Sequence, residues 1–307
     1  MAPSRAHNCV RILRYATTRP LRSPSIASIP RRTAPQAAAR GFSAQQPKQH
    51  EPAKSSVDPT EVSHFNNLAS SWWDPQGPSR LLHLMNPLRH TFISRCLSAP
   101  AGTPLPSKLR YLDIGCGGGI FAESAARLPK TASVTAIDPT PEVLKVAELH
   151  QRRDPLLKQP GRLTYLNKSI EQLPIPTSAE EQYDIVSLFE VLEHVNAPGP
   201  FLTQILPHVK PGGWLVLSTI ARTWTSWAVT NVMAEDVLRM VPKGTHDWNK
   251  YVNEAELRDW FRKQAGWGGV GDGMKTLGVM YVPGFGWKEV PGGEGWGNYF
   301  FAVRRDA

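Results

Sequence analysis

The chain has 307 residues and a formal charge of +9, which is length enough for one large α/β core or two small ones. The charge is not a nucleic-acid signature, because the first 50 residues hold nine Lys or Arg and no Asp or Glu, leaving 26 basic against 26 acidic residues from Glu51 onward. A neutral body offers no electrostatic reason for a phosphate-backbone partner, so no nucleic acid is expected.

An Arg- and Ser-rich, acid-free start has the composition of a mitochondrial transit peptide, and Arg40-Gly41-Phe42-Ser43 resembles a matrix-processing site cut after Phe42. Residues 1–42 are read as that peptide, with a disordered basic tail as the alternative; 43–59 are a polar linker and 60–307 one folded domain. No run approaches about 18 apolar residues, so no transmembrane span is predicted. Cys9 leaves with the leader, and Cys96 with Cys116 cannot form a disulfide framework.

Asp58, Pro59 and Glu61 predict a helix to Ala69, with Asp58 as N-cap and Pro59 at the first position. Trp72-Trp73 follows in a helix-ending segment, read as core packing or a lid in preference to a binding site. A second helix is expected over Asn86–Ser98, with Leu88, Phe92, Ile93 and Leu97 able to share a face. Leu109–Ile114 reads as a buried strand, the glycines after it as a turn, and Ile120–Leu128 as a helix. Strands at Ser133–Asp138, Leu163–Ser169, Tyr183–Phe189 and Trp214–Ile220 alternate with helices at Pro139–His150 and Pro198–Val209. The last strand follows a Lys210-Pro211-Gly212-Gly213 turn. This alternation predicts one doubly wound, mostly parallel α/β sheet of Rossmann-like form, preceded by N-terminal helices. A Trp-, Val- and Met-rich insertion over 222–250 breaks the pattern, a capped helix spans Asn253–Gln264, and strands are expected at Met274–Tyr281 and Trp296–Val303. The Gly- and Pro-rich stretch 282–295 reads as a loop.

The turn at Gly115, Gly117, Gly118 and Gly119 leaves backbone N–H groups and a helix start open to a nucleoside ligand. Its third glycine comes one place early for a dinucleotide fingerprint, and Asp113 would repel a pyrophosphate. Asp113 suits a cationic ammonium instead, and Asp138 at the end of the next strand can accept both ribose hydroxyls. The pair favours S-adenosylmethionine over NAD.

Phe189 leads into Glu190-Val191-Leu192-Glu193-His194. If this stretch is a helical turn, Glu190, Glu193 and His194 share one face beside the ligand crevice. Two carboxylates and an imidazole can hold a divalent cation, Mg²⁺ by its oxygen preference or equally Zn²⁺ or Mn²⁺, or His194 alone can act as general base.

The glycine turn, Asp138, Leu192-Glu193-His194-Val195 and Lys210-Pro211-Gly212-Gly213 resemble class I S-adenosylmethionine-dependent methyltransferases. Trp72-Trp73-Asp74, Asn86-Pro87-Leu88-Arg89, Cys116-Gly117-Gly118-Gly119-Ile120 and the run from Arg239 to Asp247 resemble, more narrowly, the O-methyltransferases of ubiquinone biosynthesis in their mitochondrial form. The likeness covers about Val62 to Val303 and implies that 60–307 is a methyltransferase domain. It implies methylation of polyprenylated catechols, 3,4-dihydroxy-5-polyprenylbenzoate and a demethylubiquinol, by an enzyme in the matrix, peripheral on the inner membrane and working beside other ubiquinone-biosynthesis proteins. Carried over by position, Arg89, Gly115, Asp138 and Phe189 would contact the methyl donor, with Asp113 and Gly117 beside them, and Glu190, Glu193 and His194 would hold Mg²⁺. Catalysis is expected from His194 and Glu190 through metal-assisted deprotonation of a phenol. The apolar residues Trp224, Trp227, Ala228, Val232, Met233, Val237, Leu238 and Val241 recur at near-helical spacing, as a lid that also touches membrane or as ordinary packing.

Overall fold

Apolar runs of four to seven residues bounded by helical segments can bury both faces only inside a layered sheet, and that is where they lie. The computed structural model describes residues 55–99, 106–223, 250–269 and 272–307. The transit peptide, most of the linker and the insertion residues from Trp224 to Val241 lie outside them.

In chain order the strands are β1 (Leu109–Ile114), β2 (Thr131–Ile137), β3 (Leu163–Leu166), β4 (Tyr183–Phe189) and β5 (Val209–Ile220), then β6 (Met274–Val282), β7 (Gly286–Val290) and β8 (Asn298–Arg304). They form one eight-stranded sheet in the order β3-β2-β1-β4-β5-β8-β6-β7. The first five pair in parallel and the last three are antiparallel. The strand order reverses between β1 and β4, so their carboxyl ends open a crevice in which such sheets bind ligands.

Helices α1 (Pro59–Leu68), α2 (Arg80–Leu97), α3 (Ile120–Arg127), α4 (Pro141–Gln151), α5 (Pro198–Ile205) and α6 (Glu254–Arg262) surround the sheet. Side chains alternate along β1, so Leu109 and Tyr111 join one core with Phe92, Phe121 and Phe300, while Leu112 and Ile114 join another with Leu202, Leu257 and Phe261. Asp113 falls on the Tyr111 side and faces α2. No helix among the described residues is long and apolar enough to cross a membrane.

Asp58 caps α1 by accepting the Thr60 N–H at 2.9 Å, as its sequence predicts. Three elements differ from their sequence signals. α2 starts at Arg80 rather than Asn86 and continues through Pro87, because Met85, Arg89, Phe92, Ile93 and Cys96 bury along one continuous helix. That packing outweighs the backbone hydrogen bond a proline forfeits. Lys210 to Gly213 is not a free turn but an irregular entry to β5, where the pairing steps from Tyr183↔Val209 to Ile185↔Trp214. The glycine-rich stretch 282–295 contains β7, whose Trp287 Nε1–H donates to the Leu81 carbonyl at 2.9 Å.

Candidate active site

β1 ends at Ile114 and the chain turns through five residues before α3 begins. Gly117 has φ 52° and lies directly beneath the Trp72 indole, so a side chain there would be strained and would have no room. Asp138, just after β2, fixes the turn: its Oδ2 accepts the Gly117 N–H and its Oδ1 the Thr140 N–H, each at 2.8 Å. A carboxylate has about four lone-pair positions, so Asp138 keeps acceptor capacity for a ligand.

Asp113 is buried, and its Oδ1 accepts the Ser187 hydroxyl at 2.6 Å. Burial pushes its pKa up to about 7, against the pull of the Ser187 bond and the Arg89 charge. Arg89, on α2, is also buried, with its guanidinium 4.7 Å from the Phe189 ring centroid and its Nε without a hydrogen-bond partner. Burial lowers its pKa while Glu190, Asp113 and Glu193 act the other way, and a guanidinium under such conditions stays charged. A buried cation with spare N–H groups beside a cavity suits a carboxylate.

Arg89, Asp113, Gly115, Gly117, Asp138, Phe189, Glu190, Glu193 and His194 all line one cavity of about 320 Å³. The structure therefore brings together the residues expected from sequence to contact the methyl donor or to hold a cation. It does not assemble Glu190, Glu193 and His194 as a metal-ligand set. Glu190 has φ 57° and stands outside the short 3₁₀ turn Leu192–His194, so the three do not share a helical face. Its Oε1 accepts the Ser218 hydroxyl at 2.6 Å and its Oε2 the Asn298 amide at 3.1 Å. Glu193 Oε2 accepts the Thr219 hydroxyl at 2.8 Å. Among the described residues no group of three or more His, Cys, Asp or Glu is placed to hold a metal ion. The donor types suit a hard cation, but their positions do not fit one.

His194 turns instead toward α1, where its Nδ1 lies 2.9 Å from Glu61 Oε2. Lys250 Nζ pairs with the other carboxylate oxygen of Glu61 at 2.9 Å. The His194 hydrogen bond, opposed by burial and aided by Lys250, lowers the Glu61 pKa to about 2. Burial would lower the His194 pKa, but the Glu61 bond and the charges of Glu193 and Glu61 raise it overall. With Nδ1–H donating to a carboxylate, Nε2 is the nitrogen left to take a proton. Burial and then the Glu190 charge push Glu193 up.

Sequence reasoning missed Glu61, Lys250, Ser187, Ser218, Thr219 and Asn298 as site residues. Glu61 did carry a signal, as an acid in the first turn of a capped helix, but that position has a sufficient explanation in the helix dipole. The others are polar residues on strands or a loop with no spacing to mark them.

The sheet order and the crevice between β1 and β4 define a class I S-adenosylmethionine-dependent methyltransferase fold. The plantazolicin methyltransferase BpumL in complex with SAH shares it, with a TM-score of 0.51 and 17% identity over 81% of this chain and 97% of that one. So does a possible histamine N-methyltransferase from Thermotoga maritima, at 0.50 and 20% over 80% and 99%. A family model described as a methyltransferase domain matches residues 83–270. The mitochondrial ubiquinone biosynthesis O-methyltransferase of Candida albicans is 40% identical over 287 residues, 81% of this chain and 86% of its own. Its Schizosaccharomyces pombe counterpart is 46% identical over 215 residues, 68% and 72% of the two chains. The chain belongs to the ubiquinone biosynthesis O-methyltransferase family, and is an S-adenosylmethionine-dependent O-methyltransferase.

Proposed function

We propose that the protein moves a methyl group from S-adenosylmethionine to a phenolic oxygen of polyprenylated catechols in ubiquinone biosynthesis, namely 3,4-dihydroxy-5-polyprenylbenzoate and demethylubiquinol. One observation carries the chemistry: the His194–Glu61 pair opens on the same cavity as Asp113, Asp138 and Arg89. A phenol with a pKa near 10 is mostly protonated at neutral pH, so transfer needs a base at the acceptor oxygen. His194 Nε2 takes that proton, and Glu61 fixes the ring's tautomer and supports the imidazolium that forms. Arg89 pairs with the donor carboxylate, Asp113 with its ammonium and Asp138 with its ribose, while Gly115 and Gly117, both at positive φ, shape the turn that places these groups. Phe189 packs on Arg89 and holds the guanidinium in place. Glu190, in its left-handed conformation, ties β5 and β8 together behind the acceptor. The phenolate oxygen attacks the methyl carbon and the sulfur leaves with the bonding pair; the fold's part is to keep the three atoms in line. The metal-assisted form of this route needs Glu190, Glu193 and His194 as one ligand set, and no step here runs through it.

The leader over 1–42 would deliver the chain to the matrix, and the apolar insertion over 222–250 would serve as a lid or a contact with the inner membrane. Other ubiquinone-biosynthesis proteins are the natural neighbours there. Mass spectrometry of purified protein with donor and a short-chain prenylated dihydroxybenzoate tests the reading. Methylation of this substrate well above that of plain catechol is the expected result, and equal or absent methylation overturns the prenylated-acceptor assignment.

A further inference from the structure

We propose that Trp72 is a methyl-donor-site residue whose indole closes over the glycine turn and gives its ring N–H to an oxygen of bound S-adenosylmethionine. The inference rests on the donor reading above and adds a contact from the N-terminal segment to it.

The indole sits directly on the turn: a Cβ at Gly117 or at Gly118 would overlap its ring atoms. Gly117 is also the residue whose N–H holds Asp138, so Trp72 covers the peptide that ties the turn to the acid assigned to the ribose. The side chain is buried at 7% exposure, lines the same cavity as Asp113 and Arg89, and leaves its Nε1 without a hydrogen-bond partner. An indole nitrogen is a donor only, and buried tryptophans ordinarily find an acceptor for it. Two other tryptophans of the site region do so. Trp73 donates to the Gly118 carbonyl and Trp287 to the Leu81 carbonyl, each at 2.9 Å.

The placement of Trp72 is not loose. Its carbonyl accepts the His83 Nε2–H at 2.9 Å, its N–H donates to the Ala69 carbonyl at 3.2 Å, and its ring packs against Phe65 at 6.1 Å between centroids. Trp73 beside it stacks on His150 at 3.5 Å with an interplanar angle of 7°. Trp72 is thus a fixed lining residue of a cavity whose other polar groups suit an adenosyl amino acid; its buried ring N–H is one acceptor short, and the carboxylate and ribose of the donor supply acceptor oxygens.

The test uses the full chain labelled with ¹⁵N at its indole nitrogens and S-adenosylhomocysteine as the probe. The cross-peak that vanishes in Trp72→Phe identifies the residue among the ten tryptophans. It should move downfield on saturation with the probe, and Trp72→Phe should weaken probe binding about tenfold by calorimetry. If Trp72→Phe does not fold, Trp72→Tyr takes its place in both measurements. A cross-peak that stays put under saturation, or a variant that binds within about twofold of wild type, overturns the proposal. A merely structural Trp72 would lower the melting temperature of the free protein and leave the cross-peak unmoved. Wild-type protein that fails to bind S-adenosylhomocysteine would instead overturn the donor reading, and this inference with it.

Discussion

His194 Nδ1 and Glu61 Oε2 stand 2.9 Å apart although 133 residues separate them in the chain. The contact makes α1, which precedes the sheet, part of the wall of the candidate site. It orients the imidazole and places a carboxylate where a charged ring would need one. Lys250, at the end of the insertion, meets the same carboxylate, so two distant parts of the chain converge on Glu61.

His194→Gln keeps a polar side chain of similar reach and removes the base. Turnover should fall by about 10²- to 10⁴-fold, the usual worth of a general base, while affinity for S-adenosylhomocysteine stays near wild type. Steady-state kinetics and calorimetry on one preparation separate the two effects.

Glu61→Gln should leave the fold intact and lower turnover by roughly tenfold or more, as expected when a base loses the group that orients it. Because Glu61 raises the His194 pKa, its loss should move the acid limb of the turnover–pH profile to lower pH. A limb that stays in place would show that His194 does not govern it.

Asp113 has a pKa of about 7 in the folded protein against an ordinary value of 3.8. Its protonated form is favoured by folding, so its contribution to stability is present at low pH and is lost as pH rises from 3.8 towards 7. A donor ammonium beside it favours the carboxylate, so binding at pH 7 should release up to about half a proton. Calorimetry in buffers of different ionisation enthalpy reads that release, and Asp113→Asn should abolish it.

Arg89→Leu removes the buried guanidinium from the cavity. Affinity for S-adenosylhomocysteine should fall by about 10- to 100-fold, the scale of a charge-assisted hydrogen bond to a carboxylate. Affinity for adenosine, which lacks the carboxylate, should change little by the same measurement.

The strand-turn-helix from Leu109 through α3 was legible because a buried strand, four glycines and flanking acids leave few alternatives. β1 and β4 fall on the residues their apolar runs mark. The start of α2 was not legible: Pro87 is a strong local start signal, and only tertiary burial of Met85 on the near side and Arg89 on the far side shows that the helix runs through it. β7 hides in a stretch whose glycines and prolines read as loop, and it forms because β6 offers an edge to pair with. At the site, residues near one another in sequence were found and their partners were not. Glu190, Glu193 and His194 suggested a shared face by spacing alone, yet the left-handed Glu190 backbone and the reach of Glu61 from α1 are facts of the fold.

Methyl transfer to a phenolic oxygen with His194 as base can be followed atom by atom. The most direct measurement follows a deuterated methyl group from S-adenosylmethionine into a short-chain prenylated dihydroxybenzoate, by mass spectrometry, with wild type and His194→Gln side by side. One labelled methyl on oxygen with wild type and a trace with the variant is the expected result. Equal labelling by the two proteins, or no labelling by wild type, would contradict it.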